Sequence, residues 1–178
     1  MKISNLGFIL SACTAAIATT LVSNSSALSQ QPTFFCGTNS GNPATIVQSP
    51  QHGDVTLINW KSNRTASSGY DNQTRCNIVS EKFQNFYDQG ALKLFTVGKV
   101  NRQSVICVVP SKDAPCNKDS MLYTLNPEKD ANQQLQQLLD IRTGASTEAL
   151  EETNGRIYVD YEAFLQEKAN EKDNAGLF

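Results

Sequence analysis

The 178-residue chain carries 15 Lys+Arg, 17 Asp+Glu and one His, a formal net charge of −2. It therefore lacks the basic excess that a dedicated nucleic-acid binder presents. With 39% hydrophobic and 18% charged residues it falls outside the disordered, collagen-like, coiled-coil and multi-span membrane classes, and a folded polar domain of ordinary size is expected.

Residues 1–29 hold no acid, a single cation at Lys2, and an apolar or small-residue run over 3–22, the pattern of a secretory signal peptide. Ser25 and Ala27 meet the small-x-small requirement for cleavage after Ala27, with a cut after Ser29 as the alternative, so the mature chain is expected to begin near Leu28 or Gln30. The run is too rich in Ser and Thr for a membrane anchor, which needs about 20 mostly apolar residues. Leu10-Ser11-Ala12-Cys13 also fits the pattern at which bacterial lipoproteins are acylated on Cys. Cys13 comes very early, however, and apolar character continues past it, so cleavage at Ala27 is preferred. The expected organisation is a signal peptide over 1–27, a single domain over 28–168 and a polar tail over 169–178.

Thr33-Phe34-Phe35-Cys36-Gly37 reads as a short strand ended by Gly, followed by a polar stretch to Pro43. A second strand is expected over 55–60, then a loop over 61–71 rich in Ser, Asn, Thr and Gly, long for a compact domain. Cys76, Val79, Phe83 and Phe86 recur at spacings of three and four, one stripe of a helix over 74–88 that Asn72 or Asp71 can cap and Gly90 ends. Residues 92–100 and 104–109 form a hairpin about Asn101-Arg102, in which Val100 faces Gln103. That register puts Phe95, Val97, Ile106 and Val108 on one face and Leu94, Thr96, Val105, Cys107 and Val109 on the other, so the hairpin is expected at the centre of a sheet. A further strand follows over 121–125. Asn126-Pro127-Glu128 reads as the cap and first turn of a helix with Leu135, Leu138 and Leu139 inward and Gln133, Gln134, Gln136 and Gln137 solvated. Residues 157–159 are a last strand, and Asp160 can cap a short helix containing Tyr161, Phe164 and Leu165. The sum is an α+β fold: an antiparallel sheet of about five strands, two main helices, a short C-terminal helix and two disulfides.

The order Thr33-Phe34-Phe35-Cys36-Gly37, Trp60, Arg75-Cys76, Val79-Ser80, Phe83-Gln84 and Val105-Ile106-Cys107-Val108 resembles the cyanobacterial circadian oscillating protein family. The likeness continues through Leu122-Tyr123-Thr124-Leu125, Asp140-Ile141-Arg142-Thr143-Gly144-Ala145 and Tyr158-Val159, so it covers about residues 33–160. Arg102 departs from the pattern where Gly would follow Asn101. The resemblance implies an exported or lumen-facing cyanobacterial protein and carries over no catalytic residue, cofactor or metal ligand.

His52 is the only His and sits in a turn-like stretch, so any Ser/His, Cys/His or zinc site would have to be built on it. Glu151 with Glu152, or Glu128 with Asp130, supply adjacent carboxylates, but in charged stretches whose ordinary reading is a solvated face. No GxGxxG, phosphate loop or CxxC pair occurs, and Asn63-Arg64-Thr65 and Asn72-Gln73-Thr74 are read as chance matches to a glycosylation pattern. The four mature cysteines allow three pairings. Cys107 and Cys116 are close enough for a local bridge, which leaves Cys36 to pair with Cys76.

The candidate recognition site is the loop over 61–71, where Trp60 and Tyr70 flank Asn63, Arg64 and several hydroxyls and can stack on a sugar ring or hold a partner segment. The competing reading makes Trp60 core and Tyr70 a loop anchor. No catalytic, cofactor-binding or metal residue is expected. The functional expectation is an exported, non-catalytic binding or structural protein of the periplasm, thylakoid lumen or membrane surface. Its partner would be a protein or glycan of the cell envelope, with no nucleic acid and at most peripheral membrane association. The alternatives are a secreted carboxylate hydrolase and a protease-inhibitor-like module presenting the 61–71 loop.

Overall fold

The computed structural model describes residues 31–61, 70–140, 150–153 and 155–175, and within them the chain forms eight strands and three helices. β1 (Thr33–Asn39), β2 (Asn42–Ser49) and β3 (Gly53–Asn59) make a three-stranded antiparallel meander. Its first turn places Ser40 and Gly41 at φ of 49° and 77°, a two-residue connection with both φ values positive, whose twist matches the strands it joins. α1 (Asn72–Asp88) follows, then the hairpin β4 (Leu94–Val100) and β5 (Gln103–Val109), then β6 (Met121–Thr124), α2 (Ala131–Leu138), β7 (Leu150–Thr153), β8 (Arg156–Asp160) and α3 (Tyr161–Ala175). These last five strands form a second antiparallel sheet in the order β6-β5-β4-β8-β7.

One core serves both sheets. Phe83, from the buried stripe of α1, stacks on Phe34 of β1 at 5.5 Å and meets Phe95 of β4 edge-on at 5.6 Å. Phe95 in turn touches Tyr161 and Phe164 of α3 at 6.2 and 6.1 Å. Aromatic rings bury large apolar areas and favour such tilted contacts, so this chain of rings fixes α1 and α3 between the two sheets. The outer face of the second sheet carries a smaller cluster, Val105, Cys107, Val109 and Tyr158. The segment after β5 folds back over it, held by the Cys107–Cys116 bridge and by the Tyr158 hydroxyl, which donates to the Lys112 carbonyl at 3.0 Å.

Helix side chains hold three outer strands. Gln84 Oε1 accepts from the Phe34 amide of β1 at 2.9 Å, Lys82 Nζ donates to the Met121 and Leu122 carbonyls of β6 at 3.1 and 3.3 Å, and Lys172 Nζ donates to the Asp54 carbonyl of β3 at 2.9 Å.

The hairpin register is as expected, with Leu94 opposite Val109 and Val100 opposite Gln103, and its two faces divide between the main core and the outer cluster. The two bridges join Cys36 to Cys76 and Cys107 to Cys116. Other expectations are corrected. Strands over 33–37 and 55–60 do not join the hairpin in one five-stranded sheet; with β2, unrecognised in the sequence, they build a sheet of their own. Asn126-Pro127-Glu128 is a turn closed by the Asn126 side chain on the Glu128 amide. Asp130 takes the cap of α2 instead, accepting from the Gln133 amide at 2.7 Å. Gln134 is not a solvated residue: its amide group bonds to the backbone N–H and carbonyl of Asn126 and to the carbonyl of Lys129. The C-terminal helix is 15 residues long and runs to Ala175, past Lys168, with Ala169 buried in the core.

Candidate functional site

Asp71 caps α1, its Oδ1 accepting from the Thr74 amide at 2.7 Å, and that hydrogen bond holds its carboxyl below the usual carboxylate range. The cap aims the first turn of α1 inward and delivers Arg75 to Trp60. The guanidinium lies 5.3 Å from the indole centroid, a cation–π distance, and bonds to the Tyr123 hydroxyl at 2.9 Å and to Asn72 Oδ1. Trp60 is 2% exposed, meets the Tyr123 ring edge-on at 5.4 Å, and donates from Nε1 to Thr45 Oγ1, which also accepts from Ser80. This polar and aromatic node links β2, the end of β3, α1 and β6.

Trp60 is thus core, and the expected aromatic pair is not a shared surface: Tyr70 is 52% exposed while Trp60 is sealed beneath Arg75. Asn63 and Arg64 lie outside the described residues, as do the expected signal peptide and Cys13. His52 is half-buried in the turn between β2 and β3. Of the carboxylates, Asp130 serves the α2 cap, Glu128 is exposed, and the side chains of Glu151 and Glu152 lie outside the description although their backbones pair with Tyr158 and Ile157. Among the described residues no three His, Cys, Asp or Glu side chains are grouped to hold a metal ion, and no helix is long and apolar enough to cross a membrane.

A cleft of 330 Å³ lies elsewhere, between the β2–β3 turn, the end of α1 and the start of α3. Gln31, Ser49, Gln51, Tyr87, Tyr161 and Glu162 supply its polar residues, with Pro32, Pro50 and Leu165 beside them. Tyr161 is 1% exposed, and its hydroxyl has no hydrogen-bond partner among the described residues. Burial raises its phenol well above the ordinary value, and the nearby Glu162 and Tyr87 push the same way. Ser49 Oγ accepts from the Gln51 amide at 3.3 Å, which leaves its own proton to donate. Sequence reasoning used Tyr161 as a core residue and passed over the others. They stand in four separate stretches, and only tertiary packing brings them together.

Residues 33–166 match the family model described as circadian oscillating protein COP23. No curated protein and no solved structure matches the chain. The matched span takes in β1 to the body of α3, including both disulfides, the Trp60–Arg75 node and Tyr161, so the chain belongs to the circadian oscillating protein COP23 family.

Proposed function

We propose that this is an exported, non-catalytic binding or structural protein of the cyanobacterial cell envelope, a single domain acting in the periplasm, in the thylakoid lumen or at a membrane surface. The observation that carries the reading is the pair of disulfides. One ties β1 to α1 across the core, and the other fastens the segment covering the outer face of the second sheet. Bridges built into the packing suit a non-reducing compartment. The composition of residues 1–29 supports export independently. The burial of Trp60 removes the exposed aromatic pair as a recognition site, so a partner would have to be held elsewhere. A glycan or protein of the envelope is the partner class, and association with membrane is at most peripheral.

Mass spectrometry of the native protein tests the reading. An N-terminus at Leu28 or Gln30 with all four mature cysteines oxidised is the expected result. An intact Met1 with free thiols refutes export, and an acylated Cys13 replaces the free protein by a lipoprotein.

A further inference from the structure

An antiparallel sheet with one face on the core commonly turns polar residues outward. The second sheet instead carries Val105, Cys107, Val109 and Tyr158 on the face away from the main core, all of them buried, and residues 110–120 lie over them as a strap. The strap itself is polar. Ala114, Cys116 and Ser120 are half-buried and its other side chains are exposed, so it sends none fully into the core. Several of its hydrogen bonds are internal: the Ser111 carbonyl accepts from the Ala114 amide, and Asn117 Oδ1 accepts from the Asp119 and Ser120 amides. It is tied to the sheet by the Tyr158 hydroxyl on the Lys112 carbonyl, by the Val108 amide on the Ser120 carbonyl and by the Cys107–Cys116 bridge. Fixing each residue of such a segment costs backbone entropy, which those hydrogen bonds offset only in small part. The covalent bond supplies the remainder. It seats the strap closely, since a Cβ at Gly98 would overlap Cys116 Sγ.

We propose that the strap is a redox-operated lid: a dithiol reductant that cleaves Cys107–Cys116 lets residues 110–120 lift and uncovers the apolar face, while Cys36–Cys76 and the fold stay intact. A thiolate of the reductant attacks Sγ of Cys116, the half-buried partner, and Cys107 Sγ leaves and takes a proton. The second thiol of the reductant then displaces Cys116 Sγ, so two electrons and two protons pass to the protein and the reductant closes its own disulfide. Opening stays local because the strap places no side chain in the core, whereas Cys36–Cys76 ties β1 to α1 within it. The lid is shut in the non-reducing compartment proposed above and opens where a dithiol reaches it. What the protein binds does not enter the inference.

The test exposes the oxidised protein to rising dithiothreitol without denaturant, with iodoacetamide trapping and peptide mapping at each step, a fluorescent dye for apolar surface and far-UV circular dichroism. Cys107 and Cys116 should be alkylated first, with dye fluorescence rising in step and the dichroism unchanged. Gly98→Ala crowds the closed strap alone, so it should shift this reduction equilibrium about tenfold toward the open form. A Cys107→Ser, Cys116→Ser variant should take up the dye with no reductant present. Alkylation of Cys36 and Cys76 before or together with the other pair overturns the proposal, as does a Cys107–Cys116 bridge that resists reduction until the protein unfolds. A reduced bridge with no gain in dye, or a Gly98→Ala equilibrium equal to that of the wild type, overturns it too.

Discussion

Gly98 of β4 sits opposite Val105 on the face that the 110–120 segment covers. A Cβ placed there would overlap Cys116 Sγ and lie 2.6 Å from Cys116 Cβ, closer than real carbon contacts allow. Cys116 cannot swing away, because it is bonded to Cys107 on the neighbouring strand. Gly98 is not among the residues with positive φ, so Ala meets no backbone obstacle; on its own it should stabilise the strand by about 0.5–1 kcal/mol relative to Gly. Overpacking against a tethered side chain costs about 1–3 kcal/mol. The net expectation for Gly98→Ala in the oxidised protein is a loss of about 1–2 kcal/mol, read from the urea unfolding midpoint at constant slope. In a Cys107→Ala, Cys116→Ala background the segment is free to lift, and the same substitution should become neutral or stabilising. An equal loss in both backgrounds, or a gain in the oxidised protein, would refute the argument that the bridge forces glycine at this position.

Arg102 is held at φ of 65° in the β4–β5 turn, so Arg102→Gly should raise stability by about 1 kcal/mol in the same assay. Trp60→Ala should cost about 3–5 kcal/mol by removing the centre of the Arg75–Tyr123 node, whereas Tyr70→Ala should stay within about 0.5 kcal/mol; a Trp60→Ala loss as small as that of Tyr70→Ala would restore the exposed aromatic pair. In the chain-entropy account, removing the Cys36–Cys76 bridge should cost about 3.9 kcal/mol and the Cys107–Cys116 bridge about 2.7 kcal/mol, an order that paired Cys→Ala variants check by thermal melting. Tyr161→Phe should stabilise the protein by about 1–3 kcal/mol. Because the folded phenol titrates above the unfolded one, the unfolded chain releases its proton first. Wild-type stability should then fall as pH rises past about 10, more steeply than that of Tyr161→Phe, and parallel alkaline profiles would contradict this.

What could be read from the sequence was what local pattern decides. The β4–β5 hairpin carries apolar residues on both faces and a turn residue that tolerates positive φ, so strand, partner and register followed from residues 92–109 alone. The α1 stripe was equally plain, since Cys76, Val79, Phe83 and Phe86 need only one face to be buried. β2 was missed because Pro43 stands near its start and Gln48 and Ser49 end it, a composition that reads as loop; its inward residues are recognisable only beside Phe34 and Val55. The start of α2 went astray because Asn126 and Asp130 both carry side chains that can cap, and Gln134 reaching back to Asn126 settles the contest in a way no spacing reveals. At the site level the sequence left Trp60 poised between core and surface. The deciding facts, Arg75 over its ring and Thr45 at its indole nitrogen, come from elements 15 residues away in either direction. The cleft is a product of tertiary packing alone.

Three amide-bearing or ammonium-bearing side chains, Gln84, Lys82 and Lys172, occupy backbone groups on β1, β6 and β3 that another chain would otherwise use as a template. Strand addition at these three edges therefore has to begin with a helix lifting away, and the Cys36–Cys76 bond resists that movement for α1. Solubility at high concentration and resistance to reduction become the same property at that edge: cutting one covalent bond loosens the helix that shields both β1 and β6. Reduced protein should seed aggregation through those two strands long before its core melts.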